Sequence, residues 1–128
     1  MGLPAAKQGD QVTATDMHLI QPPPTASPVL VPHPFTGIIN GGLSTNVKVM
    51  GLPAATMQST ASNTPPHLPL GGTFVKPPHN RGTIITGSPT VFINNKPAAR
   101  NGDTALTCND PADLSVGTVV AAGTVLIG

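Results

Sequence analysis

The apolar positions of this chain fall in short β-branched runs separated by turn residues. Gly37-Ile38-Ile39, Gly82-Thr83-Ile84-Ile85 and Gly117-Thr118-Val119-Val120 each lead, through Gly, Ser or Pro, to a second short run: Ser44-Thr45-Asn46-Val47-Lys48-Val49, Ser88-Pro89-Thr90-Val91-Phe92-Ile93 and Thr124-Val125. Each block predicts a β-hairpin, its second arm alternating as Val47-Lys48-Val49 and Val91-Phe92-Ile93 do. A Pro-Ala-Ala segment is predicted as a bend after the hairpin. It occurs in Gly2-Leu3-Pro4-Ala5-Ala6, again in Gly51-Leu52-Pro53-Ala54-Ala55, and a third time in Lys96-Pro97-Ala98-Ala99-Arg100, at spacings of 49 and 44 residues. The chain therefore reads as three related units. A lone hairpin cannot bury its own face, so the three must pack on one another, and a threefold axis gives each the same neighbours. The expected fold is all-β and pseudo-threefold, one small domain over residues 1–128.

Between the hairpins run two long connections, Gln11 to Phe35 and Thr56 to Asn80, both rich in Pro. Plain loops of that length are uncommon in so small a unit, so something must pin them.

Composition sharpens this picture. Of 128 residues, 14 are Gly and 16 Pro, Glu is absent, and charged residues make up 9%. That is poor material for helices and good material for turns and strands. Leu, Ile, Val and Phe make up about 24% of the chain, above the roughly 20% below which a chain stays disordered, so a thin core is expected. The net charge is +1, and the six basic residues are scattered, which excludes a nucleic-acid interface. Met1 to Gln11 lacks a basic region followed by an apolar run, and Val116 to Ile127 is too short to cross a bilayer. Synthesis in the cytoplasm without a signal peptide is expected.

The candidate chemistry lies in the long connections. His18 stands 14 residues after Pro4, His67 stands 14 after Pro53, and the single cysteine, Cys108, stands 11 after Pro97. Three zinc-type ligands thus occupy one phase of the repeat, and a threefold axis would bring them to one point. His33 and His79 are the candidates for a fourth, and spacing alone does not separate them. Imidazole and thiolate suit Zn²⁺, and a closed four-ligand shell is its structural form. Cys108 has no neighbouring cation or base in sequence to make it a nucleophile. Gly9-Asp10 and Gly102-Asp103 match in phase, while the middle unit has Gln58-Ser59; the aspartates are expected to cap turns. Asp16, Asp110 and Asp113 remain, with no acid pair suited to a cleft.

Pro97-Ala98-Ala99-Arg100 with Gly102-Asp103, preceded by Gly87-Ser88-Pro89-Thr90-Val91-Phe92-Ile93-Asn94, resembles the repeat of PAAR-domain proteins. These are conical tips on the trimeric spikes of contractile injection machines: type VI secretion systems, phage tails and phage-tail-like particles. The resemblance implies a β-cone with a Zn²⁺ near its apex held by three His and one Cys. Carried over, the ligands are His18, His67 and Cys108, with His33 placed fourth because it shares a loop with His18, and His79 in reserve. The inserts Gln21 to Pro34 and Asn63 to Pro78 resemble the phage-tail-like branch. The middle unit, Pro53-Ala54-Ala55-Thr56, departs from the pattern in lacking both Arg and Gly-Asp, which puts its bend in doubt.

The resemblance implies a non-enzymatic structural tip. It would cap a trimeric spike protein (VgrG-like or tail-spike-like) at one copy per trimer and touch the target membrane transiently during piercing. Assembled at the particle tip, it would end outside the cell or inside the target. Because the third unit closes at Gly128, no fused cargo enzyme is expected. The competing readings are an adaptor that recruits separate effectors to the spike, and a small zinc-dependent hydrolase.

Overall fold

The computed structural model describes residues 2–23 and 27–128. Among these residues there is no helix, and the chain forms thirteen strands: β1 (Leu3–Pro4), β2 (Gln11–Gln21), β3 (Val29–Gly41), β4 (Lys48–Val49), β5 (Leu52–Pro53), β6 (Thr60–Asn63), β7 (Thr73–Phe74), β8 (Arg81–Ile84), β9 (Phe92–Ile93), β10 (Lys96–Pro97), β11 (Thr104–Thr107), β12 (Leu114–Val120) and β13 (Leu126–Ile127). Strands β12-β11-β8-β6-β3-β2 are neighbours in that order, and β12 also pairs with β2, so the six close into a barrel. Three two-stranded hairpins, β4-β5, β9-β10 and β13-β1, stand outside it. The fold is the all-β, pseudo-threefold cone expected from the repeats.

The three Pro-Ala-Ala segments meet on the axis. The Ala6 amide donates to the Ala99 carbonyl, Ala99 to Ala55 and Ala55 to Ala6, at 2.9, 3.1 and 3.0 Å. This closed ring satisfies a buried amide and carbonyl from every repeat. Because side chains alternate along an extended segment, Ala6, Ala55 and Ala99 face the barrel core with Val12, Phe35, Ile39 and Ile84. Ala5 and Ala54 face the other way and pack with Val49, Val47, Ile93 and Ile127 of the hairpins.

The hairpins differ from the sequence expectation. Val47 to Val49 does not fold back on Ile38-Ile39; it pairs with the Pro-Ala-Ala segment that follows, Lys48 opposite Pro53 and Val49 opposite Leu52. The two-residue turns take positive φ at both positions, Met50 (52°) and Gly51 (83°) in one unit and Asn94 (52°) and Asn95 (66°) in another, as the right-handed twist of hairpin strands prefers. In the remaining unit the two ends of the chain make the pair, Leu3 opposite Ile127 and Pro4 opposite Leu126. The β-branched runs are barrel strands instead.

The stretch from Gln11 to Phe35, expected as a long connection, instead forms most of the longest hairpin. Gln11 through Ile20 pairs in register with Val29 through Ile38. Pro32 and Pro34 disguise β3 as a loop. They fit because β6 pairs with β3 only from Gly37 onward, so the opposite edge of β3 beside these prolines needs no amide donor. From Gln11, next to the alanine ring, to His18 the strand climbs about 23 Å at the usual rise per residue. The hairpins therefore form a base, and the distal end of β2-β3 forms an apex.

All three bends are retained. Asp10 accepts from the Lys7 amide at 3.0 Å, Asp103 from the Arg100 amide at 2.6 Å, and in the middle unit Ser59 Oγ accepts from the Thr56 amide at 2.9 Å. Gly9 and Gly102 sit at φ +90° and Gln58 at +78°. A side chain in this region costs roughly 1–2 kcal/mol, partly offset by the greater unfolded-state freedom of glycine. Gln58→Gly should therefore raise stability by about 0.5 kcal/mol, a melting shift of about 2 °C, and a lowered melting temperature would contradict the geometry.

Candidate metal centre

The apex is built from alternation on β2 and β3. Val12, Asp16, His18 and Ile20 share the inward phase of β2, and His33, Phe35 and Ile39 share that of β3. Asp16 lies directly opposite His33 in the ladder. Phe74, brought in by the pairing of β7 with the end of β2, lies over the cluster, its ring centroid 5.7 Å from that of His18 and 5.6 Å from that of His33.

His67 and Cys108 arrive from two loops. The Asn80 side chain accepts from the His67 amide at 2.8 Å and is itself held by Asn63, whose Nδ2 donates to it at 3.2 Å. Cys108 follows β11. The loop beyond it clips onto the part of β2 that β12 leaves uncovered: the Met17 amide donates to Asn109 Oδ1 at 2.7 Å, the Leu19 amide to Asp110 Oδ2 at 2.8 Å, and the Asp110 amide to the Met17 carbonyl at 2.8 Å. These bonds hold the loop as a substitute strand and set the sulfur beside Asp16.

Asp16, His18, His33, His67 and Cys108 are all buried. The imidazole centroids are 5.5 Å apart for His18 and His33, 5.0 Å for His18 and His67, and 5.5 Å for His33 and His67. One ligand atom from each of Asp16, His18, His67 and Cys108 lies within 4.8 Å of the others; His33 is not in that mutually close set. His67 Nε2 stands 2.7 Å from Asp16 Oδ2, and Cys108 Sγ 3.4 Å from the same oxygen. His79 lies elsewhere, half-exposed, with its Nε2 2.9 Å from Asp113.

The donor set fits a metal on a specific observation. Both ring nitrogens of His18 and Nε2 of His33 are buried without a hydrogen-bond partner; the nearest carboxylate oxygen to His18 Nδ1, on Asp110, is 3.5 Å away. An unmet buried polar atom costs about 1–3 kcal/mol, and bonding to a cation removes that cost. His33 Nδ1 faces the Val31 carbonyl at 2.8 Å, so Nδ1 carries the proton and Nε2 presents its lone pair to the cluster, as outer partners of metal-bound histidines do. Burial lowers the His18 pKa, with neighbouring His67 adding to the effect, and so favours the neutral, ligating form. The Cys108 thiol is pushed up to about 12 by burial and then by the Asp16 charge. Without a cation the thiolate is suppressed; a divalent ion reverses that balance.

The sequence reading gives Asp16 no role, yet it is fully buried at the centre of this cluster. The signal was the alternation itself, which sets Asp16 in phase with His18 on a strand whose other inward positions are mostly apolar.

The family model for the PAAR motif matches the chain over residues 30–104 and again over 75–128. A comparison with curated proteins gives no match. The two family matches together cover well over half of the chain and include the second and third Pro-Ala-Ala segments, whose Ala55 and Ala99 are two of the three links of the ring on the axis: the chain belongs to the PAAR-motif family.

Proposed function

We propose that this protein is the non-enzymatic tip of a contractile injection machine, one copy capping one trimeric spike and sharpening it for penetration of a target membrane. The observation that carries the reading is the ring of Ala6, Ala55 and Ala99: a single chain imitates the symmetry of a three-chain partner and directs three similar hairpins to one end. Leu3, Met50, Leu52, Phe92 and Leu126 on those hairpins are exposed, so the base offers apolar contacts at each third of its circumference. A trimer's blunt end presents equivalent strand edges, which recruit further strands through main-chain hydrogen bonds. At the apex Val29, Leu30, Leu68, Leu70 and Val75 are also exposed, which suits brief contact with a lipid surface.

Structural Zn²⁺ held by His18, His33, His67 and Cys108 completes the reading. It would tie together both strands of the β2-β3 hairpin and the two loops that carry His67 and Cys108, making the apex rigid where the load falls.

Native mass measurement of the assembled spike tests the stoichiometry. One copy per trimer is expected, and three copies, or none, would refute the symmetry argument. Binding should change little between low and high salt, because the contact is apolar and charges are few; a steep salt dependence would point to a different surface.

A further inference from the structure

Asp16 stands among the metal donors in a way that a bystander carboxylate need not. Its two oxygens have separate tasks. Oδ1 accepts from the Thr107 hydroxyl and from Asn109 Nδ2, so that end is anchored by two groups on the segment that delivers Cys108. Oδ2 is directed into the cluster, 2.7 Å from His67 Nε2 and 3.4 Å from Cys108 Sγ. Two nitrogen or oxygen donors bound to one ion at about 2.0–2.2 Å stand about 3 Å apart at a right angle and about 3.4 Å apart at the tetrahedral angle. The 3.4 Å to Sγ is a separation of neighbours in one coordination shell, while the 2.7 Å to Nε2 is shorter than either value and is that of a hydrogen bond, which the ion would replace by drawing both atoms to itself.

Charge points the same way. A divalent ion with three neutral imidazoles and one thiolate carries a net positive charge, which is costly in a fully buried site. The Asp16 carboxylate brings the centre to neutrality.

We propose that Asp16 binds the apical ion directly through Oδ2, so that the centre has five protein donors, Asp16, His18, His33, His67 and Cys108, in place of a closed four-donor shell. The inference rests on the metal reading given under the proposed function. It makes Thr107 and Asn109 positioning residues, which hold Oδ1 so that Oδ2 meets the ion.

X-ray absorption on the zinc-loaded full chain counts the donors. The expected result is one sulfur and four nitrogen or oxygen neighbours. Cobalt substitution gives a second readout: the wild-type chain should show the weak visible bands of five-coordinate Co²⁺, and Asp16→Ala should shift them to the intense bands of a tetrahedral centre while still binding one ion per chain. One sulfur with three light neighbours, or an intense tetrahedral cobalt spectrum in the wild-type chain, would overturn the proposal and leave the metal reading intact. Purified wild-type protein that contains no metal and takes up neither zinc nor cobalt would overturn the metal reading itself, and this proposal with it. Should Asp16→Ala fail to fold, the wild-type neighbour count alone decides.

Discussion

Chelating the zinc proposed for the apex is expected to lower the melting temperature by roughly 20 °C or more. The apex should open before the barrel does. Structural zinc contributes about 10–16 kcal/mol in zinc-finger peptides, against a typical whole-domain stability of about 5–15 kcal/mol. Here the six barrel strands close through their own main-chain ladder and are expected to retain part of the total, so even half of the zinc-finger value gives a shift of this size. The distribution of the loss follows from the geometry. Among the described residues, His67 sits between β6 and β7 on a segment with few main-chain bonds, and the loop from Cys108 to Asp113 is fixed to β2 through Asn109 and Asp110. Removing the ion leaves His18 and His33 with buried unpaired nitrogens, and water must enter to satisfy them. Calorimetry with and without chelator, paired with elemental analysis and amide exchange, checks this. An unchanged melting temperature after verified metal loss would contradict it.

The second large effect is expected at Phe35. Phe35→Ala should cost about 3–5 kcal/mol, a large share of the total stability. Phe35 is the largest fully buried side chain and lies in the core cluster with Val12, Ile39 and Ile84. Its neighbours cannot close over the cavity cheaply. A methyl group added at Gly37 would stand 2.7 Å from Phe35 Cε1 and 2.9 Å from Ala61 Cβ, so the backbone on that side is already cut to fit the ring. Phe92 supplies the comparison, because it is 58% exposed on β9. Phe92→Ala should change stability by no more than about 0.5 kcal/mol while weakening attachment to the proposed spike partner. Denaturant unfolding of both variants separates the two roles. Equal losses would mean that the barrel interior is not packed around Phe35.

The phase of the Pro-Ala-Ala segments, and the all-β class that follows from abundant Gly, Pro and β-branched residues, were legible in the sequence because each rests on local chemistry repeated three times. The same holds for the turn-capping aspartates, and for His18, His67 and Cys108 as residues that one axis could gather. Tertiary structure decided what depends on partners far away in the chain. The Pro-Ala-Ala segment reads as a bend, yet each one supplies a hairpin strand and a link of the central ring, since only the other two repeats can satisfy its amides. Gln11 to Phe35 reads as a loop because Pro32 and Pro34 interrupt it, and it becomes a strand pair because the edge they spoil is one that no neighbour uses. The missing Gly-Asp of the middle unit suggested a broken bend, and Ser59 restores the bond because a hydroxyl reaches the same amide. Asp16 carries no motif at all. Its importance comes from lying across the ladder from His33 and beside Cys108, a meeting of residues about 90 positions apart that no local pattern records.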